Sequence, residues 1–247
     1  MQNLVIDEAS RQHAGKNRLH RPGIAVLFGS LVGPAIQGAL LFATAGRFDL
    51  PRVWLFLALT LVSMVANAAL VAAVNPELLN HRGLWRKKKD AKPWDRRLVA
   101  LFGIFSFYLP PIVMGLDVGR YQWSNLGPWA MILGILLFSL GWVIITWAMV
   151  VNTHFEVTVR IQTDRNHKVV TTGPYAILRH PGYLGAALWA LGAPLVVGSL
   201  YALIPAALTI LVLILRTHRE DRTLQAELPG YADYAKKVKH RLLPAIW

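Results

Sequence analysis

Cysteine is absent from all 247 residues. That excludes disulfides, thiolate nucleophiles and thiolate metal ligands, while saying little about compartment. Acidic residues are scarce as well: 13 Asp and Glu stand against 26 Lys and Arg, and charged residues make up only 16% of the chain. With 55% hydrophobic residues, the chain is too apolar for an ordinary soluble domain and suits one compact membrane domain. Neither a Gly-x-Ser-x-Gly motif nor a glycine-rich phosphate loop is present, so serine hydrolysis and P-loop chemistry have no support. His154 and Glu156 form a His-x-Glu pair, but no second His follows at helical spacing and no metal is expected. The first 20 residues are polar and mixed, without an apolar core and cleavage site, so no cleaved signal peptide is expected. No fixed-period repeat or low-complexity linker divides the chain.

What is abundant is long uncharged sequence. Such runs cover Ile24 to Ala45, Val53 to Val74, Leu98 to Leu116, Pro128 to Val151 and Pro181 to Leu215. The first four are each about one bilayer thickness, at roughly 20 residues per spanning helix. The fifth is nearly twice as long and must fold back; Gly198-Ser199 lies midway, and Pro194 and Pro205 flank it. Two paired helices, 181–197 and 200–216, are therefore expected. The fold class is all-α: a polytopic membrane protein with about six transmembrane helices, the last two a tight hairpin, and a C-terminal helical tail. One membrane domain, 1–247, then divides into an N-terminal segment 1–23, four spans in 24–151 and a catalytic, cofactor-binding region 152–247.

Basic residues orient it. The segments 1–23, 75–97, 152–180 and 216–247 hold 23 of the Lys and Arg residues and the opposite loops hold 3, so both termini and the polar clusters are expected on the cytoplasmic side of the membrane. The formal charge of +13 is then mostly a topology signal with some attraction to anionic lipid headgroups. Without a basic face interleaved with exposed aromatics in a soluble domain, no nucleic acid partner is expected. The run Arg86-Lys87-Lys88-Lys89, beside Trp85 and Trp94, fits a segment lying on such headgroups. Oligomeric state is open, since Gly29-x-x-x-Gly33 and Gly134 with Gly141 serve packing within or between chains equally well.

Chemistry concentrates in two places. Thr172-Gly173-Pro174-Tyr175-Ala176-Ile177-Leu178-Arg179-His180-Pro181-Gly182-Tyr183-Leu184-Gly185 sets polar and ring-bearing residues against the start of the hairpin. Pro181 is tolerated at an early helical position, and Gly182 and Gly185 would let a ligand approach the backbone or let another helix pack closely. Before it, Val157 to Ile161 alternates in a way that permits a short extended stretch. The second cluster follows the hairpin: Arg216, Arg219, Glu220 and Asp221, then Pro229-Gly230-Tyr231 and Tyr234. Arg216 and Glu220 are four apart and share a helix face, whereas Asp221 points elsewhere. A short helix over 231–239 would carry Tyr231, Tyr234 and Val238 on one side.

On Gly173-Pro174-Tyr175, on Arg179-His180-Pro181-Gly182-Tyr183-Leu184-Gly185, and on the acidic pair, tyrosines and Arg241-Leu242-Leu243-Pro244 of the tail, the chain resembles the isoprenylcysteine carboxyl methyltransferase family of membrane enzymes. The likeness covers roughly 150–247, with Asn75-Pro76-Glu77-Leu78-Leu79 and Pro93-Trp94-Asp95 similar to bacterial members. It implies S-adenosylmethionine as cofactor and a lipophilic or prenylated acceptor entering from the bilayer. Carried over, Tyr175, His180, Pro181, Tyr183, Leu184 and Gly185 would line the cofactor site, with Glu220, Tyr231 and Tyr234 supplied by the tail. The second acidic position is Asp221 rather than Glu. Arg216 or Arg179 would orient a carboxylate acceptor, with Glu220 the third catalytic candidate. Membrane reductases using NADPH look similar in their C-terminal helices and are the alternative, beside a non-catalytic lipid-binding protein.

Overall fold

The computed structural model describes residues 18–243. Most of the polar N-terminal stretch, and Pro244 of the final motif, lie outside them. The described chain is all-helical, with no β-strand among its residues. Four helices are long and apolar enough to cross a membrane: α1 (Arg21–Ala45), α2 (Pro51–Val74), α4 (Pro93–Tyr121) and α5 (Pro128–Val151). Between α2 and α4 lies a short helix, α3 (Pro76–Gly83). The expected hairpin follows as α6 (Pro181–Val197) and α7 (Leu203–Glu227), and α8 (Tyr231–Lys237) ends the helical part. Helix α7 runs eleven residues past the expected 216 because Arg216, Thr217 and Asp221 are all buried along it, so polar contacts carry the helix beyond its apolar run.

The break between α6 and α7 forms where the glycine stands. Gly198 takes φ +92°, and the N–H groups of Gly198 and Ser199 both donate to the Pro194 carbonyl, at 2.8 and 2.9 Å. Only glycine adopts that conformation without strain. The Ser199 hydroxyl then donates to buried Asp117 on α4 at 2.6 Å, which fastens the turn. Helix α4 is itself irregular: wider π turns occupy Ile104–Tyr108 and Gly115–Tyr121 on either side of Pro110-Pro111, as expected where prolines remove ladder donors.

A close seam runs the length of α5 and α6. A Cβ added at Gly141 would sit 2.5 Å from the Gly185 carbonyl oxygen, and one at Gly192 would sit 2.5 Å from the Phe138 nitrogen. Gly134 faces the Val196 nitrogen at the same distance. Four glycines at seven-residue intervals on two helices thus bring the backbones into contact, the small-residue packing that membrane helices favour. The core sits beside this seam: Leu41, Phe56, Met114, Phe138, Trp189 and Val196 come from five helices.

Helix α3 departs from the picture of a segment resting on headgroups. Leu78 and Leu79 are buried with Val71 and Met149, and Asn80 holds the start of α1 by accepting from the His20 nitrogen at 2.8 Å. Arg86, Lys87, Lys89, Arg96 and Arg97 do remain exposed. The stretch 157–161 forms no strand; instead its backbone bonds singly, Lys92 N–H to the Val159 carbonyl at 3.0 Å, because no neighbouring strand is available.

Gly141→Val should force α5 and α6 apart. We expect a loss of about 1–3 kcal/mol, read as a lower melting temperature in detergent. Gly103→Ala, where an added Cβ meets nothing within 4 Å, should leave it unchanged.

Candidate active site

The polar end of the helices is built around Asp221, which is fully buried. Arg179 and Arg241 approach it at 3.0 and 2.8 Å, and His180 Nε2 lies 3.4 Å away. The Tyr231 hydroxyl donates at 3.1 Å and Gln225 Nε2 at 2.8 Å. Burial by itself would raise the pKa of this carboxyl. The hydrogen bonds from His180 and Arg241 and the charge of Arg179 outweigh that and hold it well below the usual carboxylate range. The one-methylene-shorter acid is thus the anchor that joins the Arg-His-Pro segment, α7, α8 and the tail. Two main-chain bonds reinforce the join, Arg179 N–H to the His240 carbonyl and His180 N–H to the Arg241 carbonyl, both at 3.0 Å.

A second buried carboxylate, Asp95 near the start of α4, pairs with Arg216 of α7. Arg216 Nε lies 2.7 Å from Oδ1 and Nη2 lies 3.2 Å from Oδ2, a bidentate contact, and Asp95 also accepts from the Val159 nitrogen at 2.6 Å. Arg216 donates in addition to the Val157 carbonyl, and its guanidinium stands 5.4 Å from the Tyr183 ring centroid. The Tyr183 hydroxyl donates to Glu220 at 2.5 Å, and the Tyr183 ring stacks parallel to His180 with 5.7 Å between centroids. So Asp95, Arg216, Tyr183, Glu220, His180 and Asp221 form one continuous chain of contacts. Sequence reasoning missed Asp95 as a site residue; its sole signal was an acid set between Lys92 and Arg96-Arg97.

The third charged group is Glu156 with Arg160. Arg160 meets Glu156 at 2.8 Å, Asp90 at 2.8 Å and Asp164 at 2.7 Å. It pins the 152–168 segment, including His154 and His167, whose rings lie 4.4 Å apart. Burial lowers the pKa of both, and the charges of His154 and Arg160 add to this at His167, which is pushed down to about 4. Burial likewise pushes the Tyr234 hydroxyl up to about 12. That hydroxyl donates to the Tyr175 carbonyl at 2.7 Å, and Asn152 donates to the Tyr175 hydroxyl at 3.0 Å.

These groups border a cavity of about 500 Å³. Its polar part is lined by Tyr175, Arg179, His180, Tyr183, Arg216, Glu220, Tyr231 and Tyr234, eight of the eleven residues expected from sequence. Its other part runs between Met64, Phe102, Phe107, Trp142, Trp189 and Leu213. Pro181, Leu184 and Gly185 lie outside this lining. At Gly185 the reason is visible: the space a side chain would take is filled by Gly141 and Ile145 of α5, and at Gly182 by the Phe155 ring. At Gly185 the close approach is to protein, whereas Gly182 also borders the cavity. Arg179, expected to orient an acceptor, turns instead to Asp221 and to the carbonyls of Ala235 and Val238, at 3.2 and 3.4 Å.

Asp221→Asn should remove the anion that three basic side chains share. We expect a loss of about 3–5 kcal/mol, seen as a sharp fall in melting temperature. The histidine pair gives a pH test. Their folded pKa values lie below the unfolded 6.5, so the unfolded chain takes up protons first and stability should decline as pH falls from about 6.5 towards 4. Melting curves across that range should flatten in His167→Gln.

Comparison with known proteins now adds to the geometry. Residues 132–226 match the model of the isoprenylcysteine carboxyl methyltransferase (ICMT) family, a stretch that holds every cavity residue from Trp142 to Leu224. Protein-S-isoprenylcysteine O-methyltransferase B of Arabidopsis thaliana is 33% identical over 86 residues, 34% of this chain and 41% of that protein. The corresponding enzyme of Saccharomyces cerevisiae is 34% identical over 130 residues, 49% of this chain and 52% of that one. The cobalt-zinc-cadmium resistance protein CzcN of Cupriavidus metallidurans is 28% identical over 141 residues, 55% of this chain and 60% of its own length. The chain thus spans about half the length of the curated relatives it matches. Over residues 132–226, which run from α5 into α7 and carry most of the cavity lining, the chain is similar to the ICMT family.

Proposed function

We propose that the protein is an S-adenosylmethionine-dependent methyltransferase whose acceptor is a lipophilic carboxylate of the prenylcysteine type, taken from the bilayer. The observation that carries this reading is the single cavity that joins a polar, tyrosine-rich end to an apolar passage between membrane helices. Its volume, about 500 Å³, lies within the usual range for small-molecule sites. The polar end also has the right chemistry for a cationic sulfonium: aromatic faces at Tyr183, Tyr231 and Tyr234, and the carboxylate of Glu220. Such faces attract a cation by about 0.5–2 kcal/mol each.

The cofactor would supply an electrophilic methyl group on a positively charged sulfur. In the transfer, a carboxylate oxygen of the acceptor forms the new C–O bond as the S–CH₃ bond breaks, leaving a methyl ester and a neutral thioether. No proton moves. The residues therefore need only to bind, align and exclude water. Tyr183 fixes Glu220 at 2.5 Å, and the Asp221 cluster holds His180 in place beside the Tyr183 ring. Arg216, locked by Asp95 at 2.7 Å, presents a fixed positive charge at the same end. Buried tyrosines Tyr231 and Tyr234 close the site from the tail side.

Isothermal calorimetry on the purified protein tests the reading. Both S-adenosylmethionine and S-adenosylhomocysteine should bind, and failure of both, with the protein folded, would sink it. Glu220→Gln should weaken the cationic donor about tenfold, roughly 1.4 kcal/mol, and the neutral product much less, because the lost charge faces only the former.

A further inference from the structure

Four guanidinium groups line the cavity: Arg82, Arg160, Arg179 and Arg216. Three of them meet a carboxylate. Arg160 has Glu156, Asp90 and Asp164, Arg179 has Asp221, and Arg216 has Asp95. Arg82, in the last turn of α3, forms no ion pair among the described residues. One nitrogen donates to the Phe155 carbonyl at 3.0 Å, and the guanidinium lies 5.8 Å from the Phe155 ring centroid. The nearest acid acting on it, Glu156, is already shared with Arg160 at 2.8 Å and Arg165 at 3.6 Å.

A guanidinium in such a place is costly. Burial, and then the charge of Arg216, push its pKa down to about 10, with Glu156 opposing; it is still fully charged at neutral pH. Arg82 is partly buried; charges drawn out of water are ordinarily paired, and a planar fork is suited to two-point binding of a carboxylate. Position adds to this. The Phe155 ring on which Arg82 rests fills the space beside Gly182, next to Tyr183 and the polar end, while Leu79 and Met64 continue the lining towards the apolar passage.

Resting on the methyltransferase reading, we infer that Arg82 is a specificity-determining residue that binds the carboxylate of the lipophilic acceptor as it enters the cavity. It supplies the counter-charge role that sequence had assigned to Arg179 or Arg216. Arg82 would thereby discriminate the carboxylate from neutral analogues, since an alcohol or amide would leave the Arg82 charge unpaired.

The test uses the full chain in phosphatidylcholine nanodiscs, with N-acetyl-S-farnesylcysteine as the anionic probe and its carboxamide as the neutral one. The wild-type protein should bind the acid at least tenfold more tightly than the amide. Arg82→Gln should bind both alike while retaining its affinity for S-adenosylhomocysteine, and Arg82→Lys should keep part of the preference. Without probe, the melting temperature of Arg82→Gln should stay close to that of the wild type, because the charge removed had no carboxylate partner and glutamine can still donate to the Phe155 carbonyl. An unchanged preference for the acid in Arg82→Gln overturns the inference. So does equal binding of acid and amide by the wild-type chain, whatever the variants do. Replacing phosphatidylcholine with phosphatidylglycerol should leave the preference intact; its disappearance would assign Arg82 to a lipid headgroup and overturn the acceptor role. Loss of S-adenosylhomocysteine binding by the wild type would remove the methyltransferase reading, yet leave the anion site to stand or fall on acid against amide.

Discussion

The polar end of this protein depends on one constraint: a charge taken out of water beside a membrane must meet its opposite. Asp221 satisfies it most fully, gathering Arg179, His180, Arg241, Gln225 and Tyr231 around one buried carboxylate. These partners come from four separate stretches of chain. Without the shared anion, α6, α7, α8 and the tail would each bring polar groups to the same place with nothing to hold them. Asp95 and Glu156 repeat the arrangement for Arg216 and Arg160. Three carboxylates therefore tie the loops over the cavity, and the order of the site is an electrostatic order.

Below that end the constraint is steric. Glycines of α5 and α6 let two backbones touch, and the hairpin turn at Gly198 sends α7 back along them. On the other side α1 and α4 meet each other closely at Gly115 and Gly119, but no glycine among the described residues brings α1, α2 or α4 into such contact with α5 and α6. Methionine, phenylalanine and tryptophan side chains stand between, and the irregular π turns of α4 further loosen the fit. The apolar passage is the space left by that inequality. Chemistry at the polar end and access from the bilayer thus arise from two different packing regimes meeting at the starts of α6 and α4.

Much of this was legible in the chain. Runs of about twenty uncharged residues placed α1, α2, α4 and α5, and a run too long for one span required the hairpin. Tyr175, His180, Tyr183, Arg216 and Glu220 stood out because polar rings and charges are expensive beside apolar sequence, and they do line one cavity. Asp95 and Glu156 were harder to see. Neither sits in a recognisable motif, and sequence neighbours say nothing about a partner 121 residues away, as Arg216 is from Asp95.

The sequence by itself determined the class of fold, its break points and the type of chemistry at one end, because hydropathy, proline and glycine act locally. Only the tertiary structure decided which of the charges lining the cavity meet a carboxylate and which do not. Four arginines are equal as letters; their roles diverge because Asp221, Asp95 and Glu156 reach three of them and none reaches Arg82. It also decided that Gly185 is filled by α5, while Gly182, packed on Phe155, still borders the cavity. A glycine opens space in sequence, and the fold determines what occupies it.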